Sequence, residues 1–229
     1  DKINELVVKA GHQMIGHHAL PLRGRCDSFV VETDVHFPTD INLLLDAIRK
    51  VLFLIGYEFN RLGISEWRQY GHVYKKIKKR FNRANKLKRS TSKNPDKKAL
   101  IDQQIKDAHT VYVDLVESYI DRARESIGIL NGMGIENIAR IMVIEKYIAH
   151  ADRQIDQIRR RVIKGETIPH TEKVFSIFEE HTEWISKGKA GVPQELGLRV
   201  CILEDQYGFI LHHHVMEQQT DDKIAVQMV

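Results

Sequence analysis

RCDSFVVETDVHFPTD, residues Arg25 to Asp40, is the stretch on which the fold turns. Ser28, Phe29, Val30, Val31 and Thr33 are residue types that favour a strand, and the run is expected to be extended from about Arg25 to Val35. Phe37-Pro38 keeps the chain extended, because a residue before proline is pushed away from the helical region. Asp40 can then cap a helix. Within the strand stands one carboxylate, Asp27, and carboxylates are seldom buried unless paired or bound to a metal. Glu32 and Asp34 read more simply as exposed alternation partners or turn residues.

Upstream, residues 1–18 read as a helix with Ile3, Leu6, Val7, Ala10 and Met14 on one face, ended by Leu20-Pro21. Downstream, Ile41, Leu44, Leu45, Ile48, Val51, Leu52, Ile55 and Phe59 recur at helical spacing until Gly63. Ser65 can cap a third helix, striped by Trp67, Tyr70, Tyr74, Ile77 and Phe81 beside many lysines. After the polar break STSKNPD, residues 90–96, helices are expected over about 97–130 and 135–164, joined by Asn131-Gly132-Met133-Gly134. So short a link makes them an antiparallel pair.

Beyond Gly165 the periodicity changes. Residues 168–178 have weak strand character, and residues 181–191 read as a polar loop. Leu196–Leu203 and Phe209–Met216 form a hairpin around the glycine-containing turn at residues 204–208. Thr220 and Asp221 can cap a terminal helix that is still apolar at Val229. A lone strand leaves its backbone groups unsatisfied, so the strand at Asp27 must pair with the hairpin, and the helices between them are an insertion.

At 229 residues with 42% hydrophobic content the chain can bury a core, and it has no apolar run long enough to span a membrane. No basic segment followed by an apolar one marks a secretory signal, and the missing initiator Met suggests a start inside a longer protein. Cys26 and Cys201 lack metal-ligand spacing, so thiols in a reducing compartment are the default and a disulfide the lesser alternative.

The net charge of +4 hides an asymmetry. Residues 75–98 hold 12 basic side chains against one acid, Asp96, leaving 23 basic and 30 acidic residues elsewhere. Such a cluster is the usual footprint of a polyanion, most often nucleic acid. Lys75, Lys76, Lys79, Arg80 and Arg83 are the candidates for phosphate contact, although a solvated surface helix would carry lysines too. Lys187 and Lys189 either grip phosphate or solvate their loop. On a strand, His212 and His214 share one face while His213 points away, so at most two could converge on a metal and packing is the simpler reading.

The pattern of a strand Asp followed by VVET and a FPTD turn, together with residues 181–222, resembles bacterial insertion-sequence transposases with an RNase H-like DDE catalytic core. The two pieces cover about a third of the chain. The resemblance implies that Asp27 is the first catalytic carboxylate and a ligand of Mg²⁺ or Mn²⁺. It implies DNA as partner, both element ends and target, with assembly of several copies on DNA an option, and a cytoplasmic, nucleoid-associated location. In such a site two Mg²⁺ ions roughly 3.5–4 Å apart stabilise the attacking and leaving oxygens of a phosphodiester displacement, and one Asp cannot hold them. The family's second Asp and its Glu have no counterpart here; Asp221 and Asp222 do not match the strand-end position. The chain is thus expected to be an incomplete transposase, inactive alone.

The expected class is α/β: a partial RNase H-like core, the first strand plus a later hairpin, interrupted by a large antiparallel helical insertion. Its parts are an N-terminal helix from a preceding region (1–20), the first core strand (21–39), the helical insertion with its basic helix (40–165), and the core hairpin with the start of a core helix (166–229). The alternative is a helical nucleic-acid-binding or interaction module without catalysis, braced by the β segments.

Overall fold

A computed structural model of the chain describes residues 2–16, 21, 23–186, 193–217, 219 and 221–224. In chain order its elements are α1 (Lys2–Ile15), β1 (Gly24–Glu32), α2 (Asp40–Arg61), α3 (Tyr70–Leu87), α4 (Pro95–Asn131), α5 (Ile138–Ile158), β2 (Glu183–Ser186), β3 (Gln194–Asp205), β4 (Ile210–Met216) and α6 (Asp221–Ile224). They divide into two compact units, residues 1–36 with 179–229, and residues 37–178. The helical unit is thus wider than the 40–165 expected. No helix among the described residues is long and apolar enough to cross a membrane.

The first unit is mixed α/β, with a four-stranded antiparallel sheet. β1 pairs with one edge of β3, Asp27 standing opposite Ile202. The other edge of β3 takes β2 over residues 194–197 and β4 over residues 199–204, with an irregularity at Leu203/Glu204. The strand at Asp27 therefore does pair with the hairpin. β2 lies within the stretch that reads as a polar loop: four residues, Glu-Trp-Ile-Ser, are too few to show an alternation in the sequence. The expected strand character at 168–178 yields only a 3₁₀ turn, His170–Glu172.

Alternation divides the sheet's faces. Cys26, Ser28 and Val30 point to the side where Cys201, Met216 and Ile224 form a small core with Cys26 and Leu203. Asp27, Phe29 and Val31 point to the other side and are exposed. The β3–β4 turn is built by Asp205, whose Oδ1 accepts the backbone N–H groups of Tyr207 and Phe209, both at 2.9 Å, while Gly208 takes the positive φ the turn requires. α1 lies against this hairpin by polar contacts: Asn4 Nδ2 donates to the Ile210 carbonyl (2.8 Å), and His12 Nε2 lies 2.5 Å from Asp205 Oδ2. Its expected apolar face is not buried, Ile3 and Met14 being 80% and 89% exposed.

In the helical unit α2 is the central element, with Leu44, Ile48, Val51, Leu52, Ile55 and Phe59 buried against α4 and α5. Thr39, not Asp40, caps it, its Oγ1 accepting the Asn42 N–H (3.4 Å). Asp40 follows as the first helical residue, 2.7 Å from Arg161 Nη2. Ser65 likewise does not start a helix: residues 66–69 make a turn that buries Trp67, and α3 begins at Tyr70. α4 starts at Pro95, earlier than expected, because Asn94 caps it by accepting the Lys97 N–H (3.1 Å) and proline suits the first helical position. α5 ends in a π-helical turn, Arg159–Ile163.

Candidate functional site

α3 buries Ile77, Phe81 and Ala84, and with Val73 and Tyr74 these form the face that packs on the helical core. With 3.6 residues per turn the remaining positions face outward. Lys75, Lys76, Lys79 and Arg83 are exposed, and Arg80 is half-buried.

Ion pairing separates these cations from the arginines of the π turn. Three consecutive arginines on the π turn are all committed. Arg159 holds Glu117 through two bonds of 2.7 Å and Asp114 at 3.1 Å. Arg160 meets Asp156, Glu166 and Glu172, and Arg161 meets Asp40. The acids in turn lower the chemical availability of those guanidinium groups: the pKa of Arg159 is raised, chiefly by its hydrogen bonds to Glu117, and that of Glu117 is lowered by Arg159. On α3, by contrast, none of Lys75, Lys76, Lys79, Arg80 and Arg83 has an ion-pair partner among the described residues.

Crowding of positive charge is felt at the end of this helix. The pKa of Lys88 is lowered by desolvation on one side, although the residue is exposed overall, and then by Arg161, with Asp40 acting the other way. His109 on α4 is buried with its Nδ1 2.7 Å from the Ile105 carbonyl; burial lowers its pKa, the carbonyl opposes this, and Lys88 and Arg161 lower it further. Burial thus favours its uncharged form.

Asp27 is an exposed residue of β1 whose Oδ1 accepts the Ser28 N–H at 2.9 Å. Beside it on the same face stand Ile202 on β3 and, one strand further, His213 on β4. The diagonal carboxylate, Glu204, is held by Arg25 at 2.6 Å. No group of three His, Cys, Asp or Glu side chains that could hold a metal ion occurs among the described residues. The donors beside Asp27 thus do not fit a two-metal site.

His212 and His213 are exposed rather than packed, and His214 is half-buried with Nε2 3.0 Å from Gln219 Oε1. Lys187 and Lys189 lie outside the described residues. The structure brings Lys75, Lys76, Lys79, Arg80 and Arg83 together on one helix; Asp27 belongs to the other unit. The residues missed in the sequence are Arg68, His72 and Arg122, which border a concavity with Lys76. Arg122 is one of two arginines on a long amphipathic helix, and nothing in its sequence neighbours marks it. No family model, curated protein or solved structure matches the chain.

Proposed function

We propose that this chain binds DNA through the exposed cations of α3 and belongs to a DNA-transposing protein of the DDE class. The observation that carries the binding is the contrast in pairing: Arg159, Arg160 and Arg161 are neutralised by carboxylates, whereas Lys75, Lys76, Lys79, Arg80 and Arg83 are not. A row of unpaired cations on a rigid helix releases counterions from DNA and so favours the backbone of any sequence. The transposase assignment rests on the sequence resemblance around Asp27, and the pairing of β1 with the β3–β4 hairpin supports it by giving Asp27 the neighbour that such a core requires.

A second reading has its own support. Asp27 has no carboxylate cluster beside it among the described residues, which favours a nucleic-acid-binding module without catalysis of its own. Both readings share DNA binding and differ in chemistry. The experiment is a fluorescence-anisotropy titration of duplex DNA at several salt concentrations. Affinity should fall steeply with salt, with no preference for one sequence over another. A salt-insensitive affinity, or none at low salt, would overturn the proposal; Asp27-dependent nicking would reject the non-catalytic reading.

A further inference from the structure

The turn that leads into α3 and the middle of α4 enclose a concavity of about 420 Å³. Its base is Trp67, 2% exposed, whose indole N–H donates to Ser126 Oγ at 2.8 Å; that hydroxyl donates to the Arg122 carbonyl at 2.9 Å. The Arg122 guanidinium lies 4.6 Å above the Trp67 ring and gives one Nη2 hydrogen bond to the Glu66 carbonyl at 2.8 Å. A guanidinium fixed at two points keeps its remaining N–H groups aimed without further loss of side-chain freedom. Arg68, His72 and Lys76 border the same space, and none of them has an ion-pair partner among the described residues. Glu66 is the acid at its rim, so the cations Arg68, Lys76 and Arg122 outnumber the carboxylate. Half-buried Tyr70 and Tyr119 supply aromatic wall.

We infer that this concavity receives one unpaired nucleotide of the DNA strand that α3 grips. Cations opposite aromatic rings are what a nucleotide needs: a phosphate for Arg68, Lys76 and Arg122, and a base face for a tyrosine ring. The volume falls at the small end of the range for pockets that hold small ligands, about 300–1,000 Å³, which admits a mononucleotide and excludes a duplex. The backbone can continue along α3, because a rise of about 1.5 Å per residue places Arg80 and Arg83 roughly 6 Å and 10 Å beyond Lys76. This inference rests on the DNA-binding reading above and adds to it the form of DNA preferred.

The test compares labelled blunt duplex with the same duplex carrying a short unpaired overhang, by anisotropy at one salt concentration. The wild-type chain should bind the overhang form about tenfold more tightly. Arg68→Ala with His72→Ala removes two exposed side chains without touching the core, and should abolish that preference while blunt-duplex binding persists. Arg122→Gln should do the same. Lys79→Ala with Arg83→Ala should weaken both forms alike and leave the preference intact. Equal affinity of the wild type for the two forms, or an undiminished preference in the Arg68/His72 variant, overturns the inference while leaving duplex binding standing. Failure to bind either DNA overturns both.

Discussion

The sulfurs of Cys26 and Cys201, 175 residues apart in the chain, lie 3.1 Å from one another between β1 and β3. They mark the closure of the sheet on the side of its small core, and the long helical unit is the excursion between them. Cys26 is half-buried and Cys201 is 3% exposed. Brief alkylation of the native protein, read by mass spectrometry, should therefore modify Cys26 before Cys201. Equal labelling would mean that β1 does not cover Cys201 in solution.

Gly197 is the residue of β3 that pairs with both Glu32 and Glu183. A methyl group there would run into the Val31 carbonyl and the Val30 side chain, and backbone cannot move aside cheaply. Gly197→Ala should cost about 1–3 kcal/mol in urea unfolding. Gly71→Ala, in α3 with nothing near the added carbon, should be neutral or stabilising by up to about 1 kcal/mol. Reversed signs would contradict the β1–β3 register.

Asp205 couples α1 to the hairpin turn. Burial alone would raise its pKa, but the hydrogen bond from His12 and the N–H groups of Phe209 and Tyr207 outweigh burial and hold it below the ordinary carboxylate value. A folded-state pKa below the unfolded one contributes stability that is present above the unfolded value and lost as pH falls through the folded one. The stability difference between the wild type and Asp205→Asn should therefore be full near neutrality and shrink below about pH 4. Urea midpoints of the two proteins across that range check this; a difference that grows toward acid would refute it.

Removing one phosphate-binding cation from α3 should lower the magnitude of the salt slope of DNA binding by about one. Lys75→Ala, Lys79→Ala and Arg83→Ala should each do so with little effect on stability, since all three side chains are exposed. Arg159→Gln is the contrasting case. It abandons Glu117 and Asp114, so it should lower the melting temperature and leave the salt slope unchanged.

Asp27→Asn should leave stability within about 0.5 kcal/mol of wild type, because the side chain is exposed and an amide oxygen can still accept the Ser28 N–H. Supercoiled plasmid incubated with this chain and Mg²⁺ or Mn²⁺ should stay intact, since one carboxylate cannot hold two ions. Nicking that disappears in the Asp27 variant would show that the chain supplies a complete site.

Much of the fold was legible in the sequence because its signals are local. Helical spacing located α2, α4 and α5 to within a few residues, while strand-favouring residue types located β1 and a glycine-containing turn located the hairpin. Caps were less legible: Thr39 and Asn94 act where the sequence points to Asp40 and to a later start, because neighbouring polar residues compete for the same N–H groups. β2 was too short to read.

The sequence by itself determined the order of helices and strands and the concentration of charge at residues 75–98, since periodicity and charge depend on residues a few positions apart. Only the tertiary structure decided which of those charges remain unpaired, that α1 meets the hairpin through Asn4 and His12, and that Arg122 joins Trp67 and Lys76 around one concavity. These depend on side chains brought together from distant parts of the chain. Arg159 and Arg161 are neutralised by carboxylates on other helices, Glu117 and Asp40, and no local pattern encodes those pairings.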